Sequence, residues 1–126
     1  MSAPNPIRVL VVDDSPLVRR SLESILERDP GIAVVGSAVA GMEALAKIRE
    51  LRPDVVTLDV LMPRLDGIKV LACVMRENPV PVLMLSSLTQ EGAEVTLQAL
   101  DLGAVDFVDK NGLLSAADAA LAAAEL

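Results

Sequence analysis

Five short aliphatic runs, each separated from the next by a segment with helical spacing, constrain this chain more than any other feature. Residues 7–12 (IRVLVV) are β-branched and nearly all apolar. Such a strand must be covered on both faces, as in parallel sheets, whereas a half-solvated antiparallel strand alternates apolar with polar. Further runs stand at 32–38 (IAVVGSA), 55–59 (VVTLD), 82–87 (VLMLSS) and 105–108 (VDFV).

The segments between these runs carry helix signals. Ser15 can cap a helix with Pro16 in its first turn; this helix is expected to run to about Arg28, where Asp29-Pro30-Gly31 turns the chain. Met42 to Leu51 places Leu45, Ile48 and Leu51 on one stripe, with Lys47, Arg49 and Glu50 away from it, and Pro53-Asp54 breaks the chain. After VLMPRLDG a third helix is expected from about Ile68 to Arg76. Pro79 and Pro81 flank Val80 before the fourth strand. A fourth helix spans about Gln90 to Leu102, with Thr89 as its cap and Gly103 as its stop. Helices joining apolar strands imply right-handed crossovers and a parallel sheet. The expected fold is a doubly wound α/β domain with helices on both faces of a five-stranded sheet. A length of 126 residues suits one such domain, 1–126. Residues 113–126 form either a weak final helix, with a seam of Leu114, Ala117, Leu121 and Ala124, or the start of a linker. The chain shows no helix stop at its end, which suggests that a longer protein continues beyond it.

Composition removes several function classes. A net charge of −7 argues against a nucleic-acid surface, and Phe107, the one aromatic residue, leaves no platform for stacking bases. No apolar run approaches the roughly 20 residues that insertion into a membrane requires, and the start MSAPNPIRVL lacks the layout of a signal peptide. A single cysteine, Cys73, reads as a small buried hydrophobe in a reducing compartment, so a cytoplasmic location is expected.

The chemistry lies at the strand ends. In an open parallel sheet, ligands bind beyond the carboxyl ends of the strands, where the strand order reverses. Strand one ends in Asp13 and Asp14, strand three in Asp59, and strand four in Ser86 and Ser87; Lys110 follows strand five. If strands one and three are neighbours, three carboxylates converge, and two unit charges ~4 Å apart repel by ~4 kcal/mol at an effective dielectric near 20. A counter-ion is expected. Oxygen ligands without His or Cys select a hard cation such as Mg²⁺, and a cation with a lysine around one carboxylate suits phosphoryl transfer to an aspartate nucleophile. Taken singly, each residue has a duller reading: Asp13 and Asp14 as helix caps, Asp59 as a turn residue, Ser86 as a cap, Lys110 as a solvated charge. Their recurrence at successive strand ends favours a shared site.

The segments VLVVDDSPLVRR, DVVTLDVLMPRLDG, PVLMLSS and GAVDFVDK resemble, in order, the signature blocks of response-regulator receiver domains over positions 9–110. The stretch from Val74 to Val108 is similar to the receiver half of chemotaxis protein-glutamate methylesterases. This resemblance implies a flavodoxin-like sheet of order 2-1-3-4-5, a phosphoacceptor at Asp59, and Mg²⁺ ligated by Asp14, Asp59 and the backbone carbonyl of Leu61, with Asp13 acting through water. It further implies that Ser86 and Lys110 contact the phosphoryl group and that Phe107 is a rotameric switch. The surface of the fourth helix, fifth strand and fifth helix would report the change. Implied partners are a sensor histidine kinase and either a C-terminal effector domain or a chemotaxis partner protein. No methylesterase centre lies within these residues, which contain no histidine and no GxSxG element.

Two positions depart from the family pattern. Leu61 stands where related methylesterase receivers usually carry Glu, and Asn111 stands where the family usually has a proline joined by a cis peptide. Leu61 also disfavours a haloacid-dehalogenase-type phosphatase, which needs a second Asp there. The carboxylates after strand one disfavour a flavin binder, whose phosphate they would repel. A purely structural interaction domain and a stand-alone single-domain regulator are the remaining alternatives.

Overall fold

A computed structural model describes residues 5–59, 67–86 and 90–109. Strands and helices alternate: β1 (Ile7–Val12), α1 (Pro16–Leu26), β2 (Ile32–Ala38), α2 (Gly41–Leu51), β3 (Val55–Asp59), α3 (Gly67–Glu77), β4 (Val82–Ser86), α4 (Gln90–Leu102) and β5 (Asp106–Asp109). The strands form one sheet of order β2-β1-β3-β4-β5, and every pairing is parallel. The doubly wound α/β fold expected from the sequence is the fold observed. The proposed final helix at 113–126, the Thr89 cap and the positions Leu61, Ser87, Lys110 and Asn111 lie outside the described residues.

The two-residue period of the strands divides the core. Leu10 and Val12 of β1, Val56 and Leu58 of β3, and Val82 and Met84 of β4 pack in one cluster with Ile48 of α2, Leu71 and Val74 of α3, and Ala99 of α4. Val9 and Val11 turn the other way and join Leu85 with Val18 and Leu22 of α1. This explains the uninterrupted apolar reading of β1, in which Leu10, Val11 and Val12 are all fully buried. Truncating one such leucine to alanine typically costs about 2–5 kcal/mol.

Local signals placed most boundaries, with small corrections. Ser15 caps α1 as expected, its Oγ accepting the Val18 N–H at 3.3 Å, with Pro16 following it. The helix stops at Leu26, two residues short of the expected Arg28. The next amides tighten to three-residue spacing, Arg28 N–H to Ile25 O and Asp29 N–H to Leu26 O, because the residue before Pro30 is pushed out of the helical region. Strand β5 is shifted one residue from its expected 105–108. Arg52 closes α2 in the left-handed region (φ 48°), a backbone state that costs a residue with a Cβ roughly 1 kcal/mol.

Cys73 corrects its sequence reading. It is half-buried and not fully buried, and the Arg76 guanidinium lies 3.6 Å from its sulfur. At this position on α3 it sits at the edge of the stripe that carries Val70, Leu71 and Val74 inward. On the edge strand β2, a Cβ added to Gly36 would stand 2.9 Å from Cδ1 of Leu51, so the tip of that leucine would have to turn aside to admit it.

Candidate functional site

The chain leaves β1 and β3 in opposite directions, to β2 on one side and β4 on the other, and these two strands are neighbours. Their register sets Val12 opposite Leu58. One step further on, Asp13 and Asp59 therefore meet at the carboxyl end of the sheet, at the point where the strand order reverses.

Asp13 is fully buried, Asp59 is 3% exposed, and Asp14 is exposed on the next residue of the loop. One carboxylate oxygen from each lies within 4.8 Å of the others. The structure thus brings together the three carboxylates that the sequence places 45 or more residues apart in two segments.

The loop that presents Asp13 and Asp14 is tied on several sides. The Asp13 N–H donates to the Ala38 carbonyl of β2 at 3.1 Å. The Asp13 carboxylate accepts the Ser15 N–H at 2.9 Å, and its own carbonyl accepts from Arg19 Nη1 at 2.7 Å. The helix is capped by Ser15 and not by Asp13, whose carboxylate instead holds the N–H of the capping residue, a turn that coexists with membership of the cluster. Asp59 needs no such loop; it is the last residue of β3, aligned with Leu85 of β4.

Of the other expected site residues, Ser86 ends β4 one step beyond that pairing and is aligned with Asp109 of β5; its side chain lies outside the described residues. The expected contacts of Lys110 and of the Leu61 carbonyl lie outside them as well. Phe107 sits on β5 beside Met84 and is 42% exposed; Leu97 and Leu102 of α4 and Val105, just before β5, are exposed as well. Sequence reasoning missed two residues. One is Arg19, whose bond to the acidic loop could not be told from the adjacent and exposed Arg20. The other is Thr57, buried two residues before Asp59 with no hydrogen-bond partner for its hydroxyl.

The donor set fits a hard divalent cation. All three groups are carboxylates, and Cys73 is elsewhere, on α3. A groove of about 650 Å³ lined by Arg49, Arg52, Pro53, Glu77 and Pro79 shares no residue with this site. No helix among the described residues is long and apolar enough to cross a membrane.

A five-stranded doubly wound sheet with an acidic cluster at its switch point defines a class of α/β proteins that bind at the strand ends. The chain belongs to the response regulator receiver domain family, which it matches over residues 9–121. It is similar to the protein-glutamate methylesterase/protein-glutamine glutaminase 1 of Xanthomonas campestris pv. campestris, at 59% identity over 110 residues. That alignment covers 87% of this chain and 31% of the relative, so the chain spans about a third of the length of the protein it matches. Among solved structures it resembles the response regulator domain of Thermotoga maritima CheB, with 50% identity and a TM-score of 0.77 over 83% of this chain and 78% of that one. It also resembles a chain of the CheX–CheY–BeF3–Mg complex from Borrelia burgdorferi, with 32% identity and a TM-score of 0.74 over 88% and 86% of the two chains.

Proposed function

We propose that this receiver accepts a phosphoryl group on Asp59 from a phosphohistidine of a sensor kinase, in a reaction that requires Mg²⁺. The observation that carries the reading is the gathering of Asp13, Asp14 and Asp59 oxygens within 4.8 Å at the switch point. A carboxylate oxygen of Asp59 forms the new P–O bond as the P–N bond to the imidazole breaks, and the departing nitrogen keeps the bonding pair. Asp14 and Asp59 would hold the cation directly, Asp13 through water, and the Leu61 carbonyl would complete the protein ligands. Bound there, Mg²⁺ supplies neutralisation of the charge on the transferring phosphoryl oxygens. Ser86 and Lys110 hydrogen-bond and pair with those oxygens. Burial of Asp13 and Asp59 keeps bulk water from screening these charges. The resemblance to a complex containing BeF3 and Mg supports the reading.

Residues 1–126 act as one receiver, with 113–126 as its closing helix or the start of a linker. Phe107 of β5, with the exposed Leu97 and Leu102 of α4 and Val105, forms the surface that reports phosphorylation, in the way a new local charge biases a two-state element. Similarity to methylesterases about three times as long supports an output in which the receiver gates a C-terminal effector domain, with the cytoplasm as its place of action. The test is to mix the chain with Mg²⁺ and a small phosphodonor. A gain in mass of one phosphoryl group, lost in Asp59→Asn and on chelation of Mg²⁺, is expected. A gain that survives Asp59→Asn overturns the assignment.

A further inference from the structure

We infer that Arg19 is a positioning residue of the acidic site, holding the Asp13–Asp14 peptide so that the Asp14 carboxylate faces its two partners. The inference rests on the cation site proposed above. Arg19 is half-buried on α1 and donates from Nη1 to the Asp13 carbonyl at 2.7 Å, whereas Arg20, its neighbour, is exposed. A peptide unit is planar, so fixing the Asp13 oxygen also fixes the Asp14 nitrogen and Cα. The other ties of this loop act on different atoms: Ala38 holds the Asp13 N–H, and the Ser15 N–H holds the Asp13 carboxylate. The bond from Arg19 acts on the peptide that leads to Asp14, the exposed member of the cluster.

The placement of the arginine runs against its own helix. Arg19 lies in the first turns of α1, where the positive end of the helix dipole disfavours a cation. Its charge also opposes the entry of a second cation into the cluster. Two effects of removing it therefore have opposite signs. Lost charge strengthens Mg²⁺ binding, and lost positioning weakens it.

That opposition makes the test decisive. Mg²⁺ binding to the 126-residue chain is measured by calorimetry for wild type, Arg19→Met, Arg19→Lys and Arg20→Met. Arg20→Met removes the same charge without the bond and is expected to bind Mg²⁺ as tightly as wild type or slightly more so. Arg19→Met is expected to bind about fivefold more weakly, on the order of one ordinary hydrogen bond, with faster amide exchange at Asp14. Arg19→Lys, which keeps a long donor, is expected to recover most of the affinity. If Arg19→Met does not fold, Arg19→Gln, whose side chain is too short for the same reach, replaces it. Binding in the Arg19 variant as tight as in Arg20→Met overturns the inference, as does a loss that lysine fails to restore. A wild-type chain that does not bind Mg²⁺ overturns the cation site itself and this inference with it.

Discussion

The backbone N–H of Asp13 donates to the carbonyl of Ala38 at 3.1 Å, so the edge strand β2 anchors the residue that begins the acidic loop. The site is built by extending the sheet's own hydrogen bonding one residue past β1, which keeps two carboxylates together in a buried setting.

Repulsion within that cluster predicts a stability signature. Replacing Asp14 with Asn removes a charge within 4.8 Å of two others, each repulsion worth about 1 kcal/mol at water-like screening. The metal-free variant should melt a few degrees above wild type, and the rise in Tm that Mg²⁺ produces in wild type should shrink or vanish. Thermal denaturation with and without Mg²⁺ followed by circular dichroism measures both.

Thr57 should respond in the direction opposite to most core substitutions. Its hydroxyl is buried without a hydrogen-bond partner, and its strand neighbours in register are Val11 and Leu83. Thr57→Val keeps the branched shape and removes the unsatisfied group, so a gain of about 1 kcal/mol in chemical denaturation is expected. A loss of similar size would show that the hydroxyl is satisfied in solution.

Gly103 closes α4 at φ 118°, and a Cβ there would lie 3.2 Å from Sδ of Met75. Gly103→Ala should cost about 1–3 kcal/mol, because backbone strain adds to the contact. Met75→Ala in the same background relieves only the contact, and a double-mutant cycle separates the two contributions.

Leu61 places an aliphatic side chain two residues after the proposed phosphoacceptor, where the resembling methylesterase receivers usually carry a glutamate. An apolar side chain there is expected to alter access of the hydrolytic water. Leu61→Glu is expected to change the decay rate of phosphorylated Asp59 several-fold, read by loss of the phosphoryl mass with time; identical rates would remove any role for this position in phosphoryl lifetime.

The elements of the fold were legible in the amino-acid order because each is governed by neighbours along the chain. The burial of IRVLVV on both faces, the cap at Ser15 with Pro16, and the breaks at Pro30 and Pro53 act within a few residues, and they placed strands and helices to within about two positions. The residue types at the strand ends, Asp13, Asp14 and Asp59, pointed to oxygen ligation and phosphoryl chemistry before any geometry was available.

What tertiary structure alone decided is which distant atoms meet. The adjacency of β1 and β3, and with it the 4.8 Å cluster, depends on strand order, which no local preference encodes. Packing likewise decided that Arg19 and not Arg20 reaches the Asp13 carbonyl, that Cys73 lies at the edge of a buried stripe, and that the tip of Leu51 comes to lie over Gly36. Periodicity tells a residue which way to face; only the arrangement of the helices around the sheet determines what it will find there.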